Sequence, residues 1–185
     1  MTKIVFWGDS HIPYRSNRLP KRFIEFLIQE RPDIMVVTGD LVIYSVLDSV
    51  RHLAKNVYAV RGNMDEGDAM KLPLVADFTI GDIKFSVFHG HGIYPRGDPE
   101  QLLSIARKRS ARVIITGHTH SPAILAYHDA IILNPGSVCG VWGGAGGYEI
   151  PTWGKITIED RCLQIVIYEL TEDQVITREQ RIIQL

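Results

Sequence analysis

Seven side chains suited to divalent cations recur along this sequence, each just after a short apolar run: Asp9 and His11, Asp40, Asn63, His89, and His118 with His120. Carboxylate, carboxamide and imidazole donors are of intermediate hardness and suit manganese, iron, zinc, cobalt or nickel. The two cysteines, Cys139 and Cys162, have no C-x-x-C spacing and offer no thiolate to the set, which argues against a structural zinc knuckle. Seven donors are too many for one tetrahedral ion. They suit two metals bridged by one carboxylate, with positions left for a water and for substrate oxygens. Each short motif arises by chance in many surface loops, so their number and order carry the reading against the plainer one, a hydrogen-bonded polar network without metal.

Something must bring donors so far apart in sequence together. Residues 3–8 read as a short buried strand, and residues 19–30 have the apolar spacing of an amphipathic helix. A second strand at 33–38, a helix at 42–54 and a third strand at 56–60 continue an α/β pattern with parallel strands and right-handed crossovers. From Pro73 the texture changes: strands at 74–80 and 83–88 flank the turn signal Gly81-Asp82. A helix at 99–109 follows, then strands at 113–116, 123–127, 130–133, 155–159, 163–169 and 175–183. Two mixed sheets packed face to face and flanked by helices hold this many strands better than one very wide sheet. Every donor then sits where a strand stops, the edge at which α/β sheets bind ligands. Glycines beside the donors provide positive φ or close backbone approach. Residues 140–147 are glycine-rich and read as a mobile loop near function.

The sequence resembles the calcineurin-like metallophosphoesterases, whose motifs run D-x-H, G-D, G-N-x-D/E, H-G and G-H-x-H. Their counterparts here are Gly8-Asp9-Ser10-His11, Gly39-Asp40, Gly62-Asn63-Met64-Asp65, His89-Gly90 and Gly117-His118-Thr119-His120, in the same order. Asn134-Pro135-Gly136-Ser137 is similar to a segment of the small single-domain phosphodiesterase branch, to which a retromer scaffold subunit also belongs. The resemblance implies a four-layer αββα sandwich over residues 1–185 as a single domain. It implies two divalent ions, manganese first and nickel, zinc, iron, cobalt or magnesium as alternatives. One would be held by Asp9, His11, Asp40 and His120, the other by Asp40, Asn63, His89 and His118. Asp40 would bridge them, and Asp40 and Asn63 take catalytic roles. A water or hydroxide between the metals would attack a small phosphodiester or nucleotide-like substrate, so no Ser or Cys nucleophile is needed. Met64 stands where many relatives carry a proton-donating His, which argues against a phosphomonoesterase. His91, Met64 and Arg15 are the expected substrate contacts. The alternative from another class is a non-catalytic interaction scaffold, whose mark would be a lost ligand; none is lost.

Lys plus Arg total 20 against 21 Asp plus Glu, and no basic block tracks a phosphate backbone, so a non-specific nucleic-acid coat is not expected. No apolar run is long enough for a signal peptide or a membrane span, which leads to the expectation of a cytoplasmic protein. Relatives of this size often form dimers or tetramers, which makes a homodimer or homotetramer the expectation from the resemblance. Asp65 is expected to anchor its loop rather than bind metal, and His52 and His128 to be solvated. Arg15, Arg18 and Arg96 either meet phosphate or face solvent. Trp142 and Tyr148 either stack on a base or partner, or pack in the core.

Overall fold

The computed structural model describes residues 1–144 and 148–185. Part of the glycine-rich stretch read as a mobile loop, residues 145–147, lies outside the described residues. A six-stranded sheet contains β1 (Thr2–Trp7), β2 (Ile34–Val37), β3 (Asn56–Ala59), β9 (Thr152–Glu159), β10 (Cys162–Thr171) and β11 (Gln174–Gln184), in the order β11-β10-β9-β1-β2-β3. A five-stranded sheet contains β4 (Val75–Ile80), β5 (Ile83–Phe88), β6 (Val113–Ile115), β7 (Ala123–Tyr127) and β8 (Ala130–Asn134), in the order β4-β5-β6-β8-β7. Both are mixed: β1, β2 and β3 run parallel, as do β5, β6 and β8, and the outer strands are antiparallel.

Alternation along the strands builds the layers. Ile4 and Phe6 of β1 face the second sheet and meet Phe85, Val87, Val113 and Ile115, the core between the sheets. Val5 and Trp7 face the other way, onto Phe23, Phe26 and Leu27 of α1 (Lys21–Glu30) and Val46, Leu47 and Val50 of α2 (Ser45–Val50). On the far side, α3 (Pro99–Arg109) lays Leu102, Leu103 and Ala106 on Ile114 and Ile132. The central strands are therefore apolar on both faces, which is why they read as unbroken apolar runs. None of the described helices is long and apolar enough to cross a membrane.

The sequence reading places α3 well because its ends carry explicit signals. The Asp98 carboxylate accepts from Gln101 N at 2.9 Å, Pro99 opens the first turn, and Arg107, Lys108 and Arg109 close the last. The helix expected over 42–54 is shorter, α2 followed by a 3-10 turn at Arg51–Leu53. Asp40 and Val42 have φ of 53° and 74°, left-handed values that exclude helix at its expected start. β9 begins earlier than the expected 155, because Thr152 and Trp153 pair with Glu169 and Tyr168 across Gly154.

Gly154 looks like a strand breaker but is a packing residue: a Cβ there would run into the Phe6 ring, which is itself fully buried. Gly154→Ala should cost about 1–3 kcal/mol through overpacking. Urea unfolding measures it, and an unchanged midpoint would mean that Phe6 moves aside freely.

Candidate metal centre

The donors gather along one edge because the strands that precede them are neighbours. Asp9 and His11 follow β1, Asp40 follows β2, Asn63 follows β3, His89 follows β5, and His118 and His120 follow β6. Backbone bonds stitch these loops together: Asp9 N donates to Gly39 O at 2.9 Å, His11 N to Asp40 O at 3.0 Å and Gly117 N to His89 O at 2.9 Å. Five of the seven hold left-handed backbone: Asp9, His11, Asp40, His118 and His120 have φ of 51°, 49°, 53°, 68° and 55°. Such conformations cost about 1–3 kcal/mol each and persist where the surroundings over-determine them.

Asp65 does much of that holding. Its buried carboxylate accepts from Gly62 N at 2.7 Å, Val42 N at 2.8 Å and Asp40 N at 3.1 Å, tying the loop after β2 to the loop after β3. Burial moves its pKa up, and the amide hydrogen bonds only partly offset that. At Gly62 close approach is what matters, since a Cβ would strike the Asp40 carboxylate. Asp65→Ala would leave three amides without an acceptor beside strained backbone. We expect a loss of about 2–4 kcal/mol, with Asp65→Asn in between. A melting temperature unchanged in Asp65→Ala would show that water replaces the carboxylate at no cost.

The side chains form two clusters, and Asp40 of one reaches toward the other. Asp9, His11 and His120 offer ligand atoms within 4.8 Å of one another, and so do Asp40, His89 and His118. Asp40 Oδ2 lies 3.5 Å from His11 Nε2 and 3.2 Å from His89 Nε2, between the clusters. Asn63 is exposed, its Oδ1 3.1 Å from His89 Nε2. The Met64 side chain is half-buried, and its amide donates to Asp40 Oδ1 at 2.7 Å. His91 is exposed, with its ring centroid 5.5 Å from His89 and 6.5 Å from His118. Arg15 and Arg96 reach the backbone beside His120, whereas His52 and His128 are exposed and remote from the clusters. Tyr148 is fixed on the surface, its hydroxyl donating to Glu169 Oε2 at 2.6 Å under the Arg178 guanidinium.

The donor chemistry fits cations. His89 Nδ1 donates to Thr38 O and His120 Nδ1 to Val141 O, both at 2.7 Å, so that Nε2 is the nitrogen each turns to a cation once its proton is lost. His120 Nε2 then faces His11 Nε2 at 3.1 Å, and His89 Nε2 faces the oxygens of Asn63 and Asp40. Lone pairs pointed at one another repel unless a proton or a metal ion lies between them. Asp9 Oδ1 and His11 Nδ1 are buried without hydrogen-bond partners among the described residues.

Electrostatics agree. Burial pushes His11 and His118 down to about 4, so both are neutral at pH 7, and the guanidiniums of Arg15 and Arg96 respectively act in the same direction. Burial alone would raise Asp40, but the hydrogen bond and charge of His89 hold it at about 2. His89 would fall on burial, yet Asp40 and Asp9 outweigh that and hold its pKa at about 9. The carboxylates thus draw positive charge to this spot.

Residues 2–153 match the calcineurin-like phosphoesterase superfamily domain. The chain belongs to this superfamily. It is 42% identical over 131 residues to a probable metallophosphoesterase of Methanocaldococcus jannaschii, a match spanning 70% of this chain and 65% of the relative. Among solved structures it is similar to wild-type Vps29 of Entamoeba histolytica complexed with Zn2+, at 31% identity and a TM-score of 0.89, covering 98% of this chain and 99% of that one. An archaeal phosphodiesterase at 24% identity and a TM-score of 0.67, covering 90% and 99%, shares the fold. The chain falls in the small single-domain branch of the superfamily, and it carries two groups of side chains that could hold metal ions. Two features escaped the sequence reading: the strained backbone of the donors, which no residue type announces, and the arginine contacts to residues 142 and 143.

Proposed function

We propose that this chain is a two-metal phosphodiesterase, acting as one domain over residues 1–185 on a small phosphodiester or nucleotide-like substrate. The observation that carries the reading is Asp40 Oδ2 set between two clusters of buried, neutral or carboxylate-paired donors. Asp9, His11, Asp40 and His120 would hold one ion, and Asp40, Asn63, His89 and His118 the other, with manganese as the first candidate. Bound there, two dications lower the pKa of a water and neutralise charge developing on the phosphoryl group. Asp40 and Asn63 orient the centre, Asn63 from its exposed mouth. His91 is lowered by desolvation and by its neighbour His89, so it is neutral at pH 7 and offers a phosphoryl oxygen a hydrogen bond rather than a proton. Cytoplasmic location and a homodimer or homotetramer belong to the same reading.

The test is a panel of phosphomonoesters, phosphodiesters and cyclic nucleotides, assayed with metal-depleted protein and added manganese, nickel, zinc or magnesium. Diester turnover with manganese is the expected outcome, and no turnover with any metal would remove the proposal. The likeness to Vps29 favours a second reading, an interaction scaffold, which that negative result would support.

Met64 sets the expected preference. Its thioether has no proton for a departing alkoxide, whereas a nitrophenolate leaves without one. Met64→His should raise monoester turnover more than diester turnover. General-acid help reaches about 10²–10⁴-fold in ideal geometry, but this loop was not shaped for an imidazole, so a gain of roughly tenfold is expected. An unchanged ratio at equal metal content would shift the preference to another residue.

A further inference from the structure

Two arginines from separate loops grip the same strip of chain at the rim of the metal centre. Arg15 Nη1 donates to Trp142 O at 2.6 Å, and Arg96 Nη1 donates to Gly143 O at 2.7 Å. That strip lies against a candidate ligand: Val141 O accepts from His120 Nδ1 at 2.7 Å, and a Cβ on Gly143 would fall 2.7 Å from His120 Cγ. Arg15 is anchored to the same centre through its own amide, which donates to His11 O at 2.8 Å.

A carbonyl accepts a hydrogen bond but neutralises no charge. Among the described residues Arg15 and Arg96 pair with no carboxylate, as is also true of Arg18, Arg31, Arg61 and Arg112, but Arg15 and Arg96 are the two anchored to the strip beside His120. Each keeps further N–H donors in the planar fork that matches phosphate oxygens. One of the two anchor residues is Trp142, whose surface is 55% exposed, while Trp7 and Trp153 are 0% exposed. An accessible indole beside two uncompensated cations is a platform for a flat aromatic group attached to an anion.

Met64 adds a chemical condition. A site without a proton donor at that position is served by a leaving group that departs as a stable anion, and a phosphate does so where an alkoxide does not. We propose that Arg15, Arg96 and Trp142 form a subsite for a nucleotide whose scissile phosphoryl group is joined to a second phosphate: the guanidiniums bind that phosphate and the indole stacks on the base. This rests on the phosphodiesterase reading and narrows it to a pyrophosphate linkage, in which the attacked phosphorus is disubstituted as in a diester. The water oxygen forms the new bond to that phosphorus and the bond to the bridging oxygen breaks. The electron pair leaves with the second phosphate and a proton goes to solvent, so two phosphate monoesters result.

The test compares three substrates on manganese-loaded protein: a dinucleoside diphosphate with a pyrophosphate link, the dinucleoside monophosphate with the same bases, and bis(nitrophenyl) phosphate. We expect kcat/KM for the pyrophosphate link to exceed that for the monophosphate link by about a hundredfold. Arg15→Gln and Arg96→Gln should each lower the ratio of pyrophosphate to nitrophenyl turnover by about tenfold to a hundredfold, mainly through KM. A methylene-bridged analogue should quench the accessible indole, with the signal lost in Trp142→Phe and the affinity weakened in both arginine variants. Nitrophenyl turnover with no preference for the pyrophosphate link, or a ratio unmoved in both variants, overturns the subsite and leaves the phosphodiesterase reading standing. Failure on all three substrates by metal-loaded protein overturns both.

Discussion

Asp40→Asn is expected to lower kcat/KM for an activated diester by about 10³-fold or more while leaving the fold intact. The carboxylate stands 3.5 Å and 3.2 Å from one imidazole of each cluster, and only a carboxylate can bring negative charge to two dications at once. Losing several kcal/mol of charge stabilisation in the transition state corresponds to three decades or so, at about 1.4 kcal/mol per decade. The amide keeps an oxygen to accept from Met64 N, so the loop after β3 stays tied. It also breaks the ion pair with His89, so the melting temperature of metal-depleted protein should fall modestly. Steady-state rates alongside metal analysis decide the matter: near wild-type turnover with two metals bound would sink the bridging role.

Metal affinity should climb steeply with pH, by about a hundredfold between pH 6 and pH 8. His89 is held protonated up to about 9 by Asp40 and Asp9, against the pull of burial, and a ligand nitrogen must lose that proton to bind. Below pH 9 each unit of acidity therefore costs about tenfold in apparent affinity from this one proton. His120, also raised, adds to the slope, while His11 and His118, at about 4, contribute nothing above pH 5. Linkage gives the matching sign for folding. Since the folded pKa of His89 lies above its ordinary 6.5, its ion pair stabilises metal-depleted protein fully below about 6.5, and that contribution is lost as pH rises through 9. Calorimetric titration in buffers of different ionisation enthalpy counts the protons released. Binding that is flat from pH 6 to pH 8 would mean that His89 is already neutral or is no ligand.

Much of the frame was legible from residue types alone. Ile4, Phe6 and Val5, Trp7 alternate between two buried faces, and Asp98-Pro99 announces α3, because burial and capping act over a few residues and leave periodic or punctual marks. The donors were equally visible, being polar residues set where apolar strands stop. Their gathering at one sheet edge followed from the strand ends, but the division into two ligand sets came only from the motif resemblance. His11 and His120 are separated by 109 positions, and what brings their nitrogens to 3.1 Å is the order of strands in two sheets and the packing of one sheet on the other. Tertiary structure also decided where α2 starts, since the loop at Asp40 and Val42 takes left-handed backbone that Asp65 holds from the loop after β3. The same is true of the arginines on the strip beside His120. Their partners are backbone carbonyls, which every residue carries, so nothing in the side-chain pattern could mark them.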